Sequence, residues 1–145
     1  VLQAHVDEGL KLARRHRLPR PIANFIPEHQ GTLKMGFFLH KAKQRDPEVD
    51  ARRFRYHGPA PRSRETAVMM LADGCEAALR SLPPDTTDEQ AIDTVRRIVE
   101  ARQRDGQLRK SSLSRAEMEL VMKAFVRVWR RMRHRRIPYP IPASR

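Results

Sequence analysis

Cysteine is nearly absent from this sequence. Cys75 is the only one, which excludes an internal disulfide and fits a reducing compartment. Set among small apolar residues in "MLADGCEAAL", it reads as a small core side chain. Long apolar runs are missing too. Nothing approaches the roughly 20 residues that span a bilayer, and no charged-then-apolar leader reads as a signal peptide. No stretch alternates with period two for long enough to make a strand, and there is no repeat or low-complexity tract. The motifs CxxC, HExxH, GxxxxGK[ST] and GxSxG are all absent. Acidic residues are scarce relative to basic ones, 17 against 30, for a net charge of +13. Such an excess attracts anions: phosphates, nucleic acid or an anionic lipid surface. The alternative is a solvated arginine-rich surface, because the basic residues are spread along the chain and concentrate only in "RVWRRMRHRRIPYP".

What is present is helical periodicity. With 145 residues, the chain is long enough for one domain with a core, and the expected class is all-α. Residues 3–16 carry Val6, Leu10 and Ala13 at helical spacing. "LPRP" interrupts, and Pro21 opens a short helix over 21–29. Residues 32–44 read as a helix with Thr32 as N-cap and with Phe37 and Phe38 in the core. Residues 45–62, with Pro47, Gly58, Pro59 and Pro61, read as a long loop with one turn near 50–54. Ser63 opens a helix with the stripe Val68, Leu71, Ala72, Cys75, Ala78, Leu79, Leu82. Thr87 and Gln90 form a capping box for a helix whose inner face is Ile92, Val95, Ile98 and Val99, stopped by Gly106. Ser114 and Glu117 form another, before a helix with Met118, Val121, Met122, Phe125, Val128, Trp129 and Met132 on one side. The tail 137–145 is broken by prolines. The chain begins at Val1, inside a helix pattern and without Met, and reads as the later part of something longer.

Three residues from three helices stand out. Asp73 lies mid-helix among Leu71, Ala72, Cys75 and Ala77, where a buried carboxylate needs an Arg such as Arg80, hydrogen bonds or a metal. His5 falls on the inner side of its helix, as a satisfied core residue or a ligand. His29 ends a helix beside Gly31, where backbone can come close to a ligand. His16 and His134 read as surface, His40 as structural, and His57 is undetermined. Two imidazoles and a carboxylate suit manganese, iron or zinc rather than calcium. Spacing alone leaves both the structural and the metal reading open.

The ordered motifs resemble a known family. "AHVDEGLKLARRHRLPRPIANFIPEHQGT", "FFLHKAK", "FRYHGPAPRSRETAVMMLADGCEAALRSL", "IVEARQRDGQL" and "HRRIPYP" together cover nearly the whole chain. They are similar, in order, to segments of the membrane-anchored, seven-transmembrane receptor type of HD-domain phosphodiesterase that degrades cyclic di-AMP. The resemblance implies an HD-domain-like helical bundle, with residues 1–145 as the C-terminal portion of the domain. It implies metal-assisted phosphodiester hydrolysis of cyclic di-AMP to the linear dinucleotide, with two divalent transition-metal ions, manganese or iron. Carried over by position, His5, His29 and Asp73 are metal ligands, with no further catalytic residue assigned in this chain. Gln30 stands where the family often has a second His. The family's early His and His-Asp doublet have no match here and would precede Val1, as would its membrane helices. The 145 residues alone are therefore expected to be soluble and inactive, and the full-length protein to lie on the cytoplasmic side of the inner membrane. Lys34, Lys41, Arg62 and Arg64 are candidates for holding substrate phosphate, against the reading that they are solvated charge. The expected partner is a cyclic dinucleotide, with a homo-oligomer as a further candidate. The alternatives are an HD phosphohydrolase acting on another nucleotide, or a non-enzymatic basic helical module that binds nucleic acid. The last is disfavoured by the lack of interleaved exposed aromatics for stacking.

Overall fold

In a computed structural model, residues 4–134 are described. Among them the regular structure is all helical: α1 Ala4–Arg15, α2 Arg20–Ala23, α3 Phe25–Glu28, α4 Gly36–Arg45, α5 Arg64–Arg80, α6 Asp88–Arg104 and α7 Arg115–His134, with a 3₁₀ turn at Ala51–Phe54. The Pro-rich tail and the His134 side chain lie outside the described residues.

The caps form as the sequence indicates. Thr87 Oγ1 accepts from Gln90 N–H while Gln90 Oε1 accepts from Thr87 N–H, and Ser114 and Glu117 repeat the exchange at α7. Ser63 also makes a capping box, with Thr66 supplying the return oxygen in place of a Glu. Gly106 follows α6 with φ +75°.

Helices α5, α6 and α7 pack on one another. Their buried seam is Leu71, Cys75 and Leu79 from α5, Ala91, Val95 and Val99 from α6, and Met118, Met122 and Val126 from α7. The spacing of these residues is what makes three helices one body. Trp129 Nε1–H donates to Leu79 O at 3.0 Å, pinning α7 to the end of α5. Burial pushes the Cys75 thiol up to about 11 against the opposing charge of Arg102, so this cysteine is inert packing.

Several expectations are corrected. Phe37 and Phe38 are 63% and 45% exposed, and α4 buries no residue. Residues 32–35 are not helical: the N-cap of α4 is Met35, and Lys34 pairs with Arg55 in an isolated antiparallel bridge that takes its backbone out of any helix. The single helix expected over 21–29 is two short ones, α2 and α3, meeting at Asn24. Val128 and Met132 are exposed although α7 stays in contact with its neighbours through Trp129, Arg130 and Arg133. His5 and Asp73 are both exposed, so neither is a buried core residue, although the His5 ring faces α3 and the loop.

The first helices and the Pro-Gly loop form a second layer on the N-terminal half of α5. A Cβ at Gly9 would fall 2.8 Å from Ile26 Cγ2, so glycine is what lets α1 approach α3. That approach brings His5, one turn earlier on α1, beside His29.

Candidate metal centre

His29 is the C-cap of α3. Its Nδ1 lies 2.7 Å from Ile26 O and 3.1 Å from Phe25 O. A carbonyl oxygen only accepts, so Nδ1 carries the proton and donates. In the neutral imidazole Nε2 is then an acceptor with its lone pair free of the tautomer question. This is the arrangement that orients ligating histidines, a backbone acceptor behind the ring and a lone pair in front. The His5 ring lies 5.7 Å from that of His29, centroid to centroid, and 6.0 Å from that of Tyr56.

Asp73 joins this group from α5. Its exposure removes the need for an internal partner on which its selection from sequence rested. What remains is its position. Burial first, and then the Asp73 carboxylate, hold the Tyr56 phenol above its ordinary value, so the carboxylate lies within electrostatic reach of that ring. The same carboxylate acts on Arg102. His29, His5, Tyr56 and Asp73 thus run as a linked series across α3, α1, the loop and α5.

Two polar clusters, neither legible from periodicity, fix the backbone beneath it. Glu28, next to His29, is 1% exposed. Its carboxylate accepts from Arg62 N–H at 2.8 Å, Arg62 Nε–H at 2.8 Å and Thr66 Oγ1–H at 2.7 Å, and Arg62 Nη2 lies 2.7 Å away. Burial raises the carboxyl, but these donors outweigh it and leave Glu28 below the usual carboxylate range. The cluster ties α3 to the start of α5.

The other cluster lies on the opposite side of the His29 turn. Gln107 is 1% exposed. Its Oε1 accepts from Thr32 N–H at 3.1 Å, while its Nε2 donates to Thr32 Oγ1 and to Asp105 Oδ2, each at 2.9 Å. Arg55 donates to Thr32 O at 2.7 Å and to both Asp105 oxygens at 3.3 and 3.0 Å. The "HQGT", "FRYHG" and "DGQL" segments are therefore one hydrogen-bonded unit, which is a physical reason for them to occur together. Among the candidate site residues, Glu28, Arg55, Tyr56, Asp105 and Gln107 were missed. Their signal was membership in the quoted motifs.

Gly31 is held between these clusters at φ +53°. A Cβ there would fall 2.6 Å from both Gln107 Oε1 and Met70 Cε. Gly31→Ala is expected to destabilise the protein by about 1–3 kcal/mol, from the left-handed backbone and the clash together. A thermal unfolding scan checks this; an unchanged midpoint would show that the Gln107 amide can move aside at no cost.

The four phosphate candidates are placed unevenly. Arg62 is committed to Glu28, and Arg64 pairs with Glu117 at 3.2 Å. Lys41 Nζ sits 4.6 Å from the Phe37 ring centroid. Lys34 is exposed, on the bridge to Arg55. Neither lysine makes an ion pair among the described residues.

In kind, two imidazoles and a carboxylate fit a transition-metal ion, and the His29 tautomer fits it better than any other proton arrangement would. In placement the set falls short. Among the described residues, no group of three or more His, Cys, Asp or Glu could hold an ion by itself, and His5, His29 and Asp73 are not gathered closely enough to make such a group.

No protein-family model matches the chain. It is 47% identical to an uncharacterized protein of Synechocystis sp. over 97% of its own length and 18% of that protein's. It is 31% identical to the cyclic-di-AMP phosphodiesterase PgpH of Bacillus subtilis, again over 97% of this chain, and 20% of the relative. The chain thus spans about a fifth of the length of the curated relatives it matches. The crystal structure of the Listeria monocytogenes PgpH HD domain in complex with cyclic-di-AMP superposes with a TM-score of 0.84, at 26% identity, over 90% of this chain and 61% of that one. A second structure of the same HD domain gives 0.80. The ordered motifs, the helical architecture and these likenesses agree: the chain is homologous to the HD domain of the cyclic-di-AMP phosphodiesterase PgpH and corresponds to part of it.

Proposed function

We propose that these 145 residues are the C-terminal portion of the HD domain of a metal-dependent phosphodiesterase that hydrolyses cyclic di-AMP to the linear dinucleotide. The observation that carries this is His29. Its Nδ1 is committed to backbone carbonyls, with His5 beside it and Asp73 linked through Tyr56. The superposition on an HD domain solved with that dinucleotide supports the choice of substrate.

In this reading His29 Nε2, an imidazole nitrogen of His5 and the Asp73 carboxylate are three donors of a larger set, and the remaining donors come from outside this chain. When bound, two divalent ions, manganese or iron, supply Lewis-acid stabilisation of the attacking oxygen and of charge developing on phosphorus. The chain's own part is to hold its donors still. The Glu28 cluster fixes the end of α3, and the Gln107 cluster fixes the turn that follows. Lys34 and Lys41, which make no ion pair among the described residues, are better placed to meet a substrate phosphate than Arg62 and Arg64, although the Lys34 charge also acts on Asp105. No helix among the described residues is long and apolar enough to cross a membrane. A place on the cytoplasmic side of the inner membrane would come from segments outside this chain.

The full-length protein loaded with manganese or iron is expected to convert cyclic di-AMP to the linear dinucleotide, read by chromatography of the products. The isolated 145 residues are expected to show little or no turnover. Cleavage of another nucleotide with cyclic di-AMP left intact would overturn the substrate; cleavage of none by metal-loaded protein would overturn the reaction class.

A further inference from the structure

Tyr56 stands among the three ligand candidates without being one of them. Its ring meets that of His5 edge to face, at 6.0 Å and 78°. His5 in turn meets His29 at 5.7 Å. The Asp73 charge reaches the phenol from the α5 side.

The residue has a rigid support. Tyr56 N–H donates to Leu33 O at 3.0 Å, and the preceding residue, Arg55, is in the bridge to Lys34 and bonded through its side chain to Thr32 and Asp105. Tyr56 also lines a cavity of about 160 Å³, together with Val6, Leu10, Pro27, Gly31 and His57. Its hydroxyl makes no hydrogen bond among the described residues and is not a buried unsatisfied atom, so it is open to solvent and to a ligand. Here a fixed O–H donor is held beside two imidazoles and a carboxylate, with no acceptor from the described part of the chain.

An acceptor rich in oxygen and placed next to the proposed ligands completes that arrangement, and a phosphodiester is one. We infer that Tyr56 is a substrate-contacting residue, its phenol donating a hydrogen bond to a non-bridging oxygen of a phosphodiester bound at the metal site to which His5, His29 and Asp73 are the proposed ligands. This deepens the phosphodiesterase reading and rests on it. The competing role is support of Asp73: a phenol bonded to that carboxylate would position the ligand and touch no substrate.

Tyr56→Phe in the full-length protein separates the two, because it deletes one oxygen and keeps the ring against His5. Metal per chain and the thermal midpoint are expected to stay at wild-type values. The kcat/KM for cyclic di-AMP is expected to fall about 10- to 100-fold, the effect of one hydrogen bond to a charged group. Binding of cyclic di-AMP to chelator-treated protein, measured by calorimetry, is expected to weaken with it. Loss of metal alongside activity would overturn the inference in favour of a supporting role. Unchanged hydrolysis and binding in an active protein would overturn it while leaving the phosphodiesterase reading intact. A wild-type protein that holds metal but neither binds nor cleaves cyclic di-AMP would overturn both.

Discussion

His29→Ala and Asp73→Ala, each made in the full-length protein, are expected to lower bound manganese or iron and to reduce cyclic di-AMP hydrolysis by about 100-fold or more. The size follows from the several kcal/mol that a correctly held ion contributes to stabilising charge in the transition state. Both residues are off the main core: His29 is half-buried at a helix end, and Asp73 is exposed on α5. Removing either therefore leaves the α5–α6–α7 seam untouched, and a loss of metal would not be a loss of fold. His29 offers a sharper control. Its Nδ1–H bonds to Phe25 O and Ile26 O organise the ring, while Nε2 would do the ligating. His29→Asn keeps a donor near those carbonyls and cannot present Nε2, so it is expected to lose metal as the alanine variant does. Elemental analysis per chain decides the matter. Unchanged metal in both His29→Ala and Asp73→Ala would remove these residues from the site, whatever happens to activity.

Glu28→Ala is expected to destabilise the protein by about 3 kcal/mol, with a fall in thermal midpoint of roughly 10 °C. The carboxylate is 1% exposed and accepts four contacts from Arg62 and Thr66. Deleting it leaves the Arg62 N–H without its acceptor and the Thr66 hydroxyl with only the longer bonds to Ser63. The Arg62 guanidinium is half exposed and can return to water, which keeps the cost at the lower end for a broken buried pair. Glu28→Gln keeps the shape but turns an amide donor toward donors, at about 1–3 kcal/mol. The same carboxylate gives the stability a pH dependence. Its folded-state value lies below 4.5, so its contribution is fully present above about pH 4.5 and is lost as pH falls through the lower folded value. Asp105, lowered from 3.8 mainly by Arg55 and Gln107 against the opposing effect of burial, adds loss of the same sign at lower pH. Acid unfolding of Glu28→Gln is expected to be shallower than that of wild type over this window. Parallel acid curves for the two proteins would show that Glu28 titrates alike folded and unfolded.

Much of this was readable in the chain. Apolar residues three and four apart marked α5, α6 and α7, and Thr87, Ser114 and Gly106 marked their ends, because those signals act within one or two turns. The ordered motifs also indicated the family. Where reading failed, the reason was a long-range pairing. The Lys34–Arg55 bridge dissolves the helix start placed at Thr32, and α4 is left with Phe37 and Phe38 outward although their run of apolar letters suggested core. Asp73 was selected for burial that it does not have, and its electrostatic reach to Tyr56 is what keeps it a candidate.

The sequence by itself determined an all-α protein, the seam of its three long helices and the strong basic charge, and it offered three candidate metal ligands. Only the tertiary structure decided that His5 and His29 are neighbours, that Nδ1 of His29 is the protonated nitrogen, and that Tyr56 stands with them. It alone showed that Glu28 and Gln107, two ordinary polar letters, are buried anchors of the turn between them. Periodicity reports which face of one helix is apolar. It carries no information on which helix, or which loop 75 residues away, supplies the partner for a buried oxygen, as Gln107 does for Thr32.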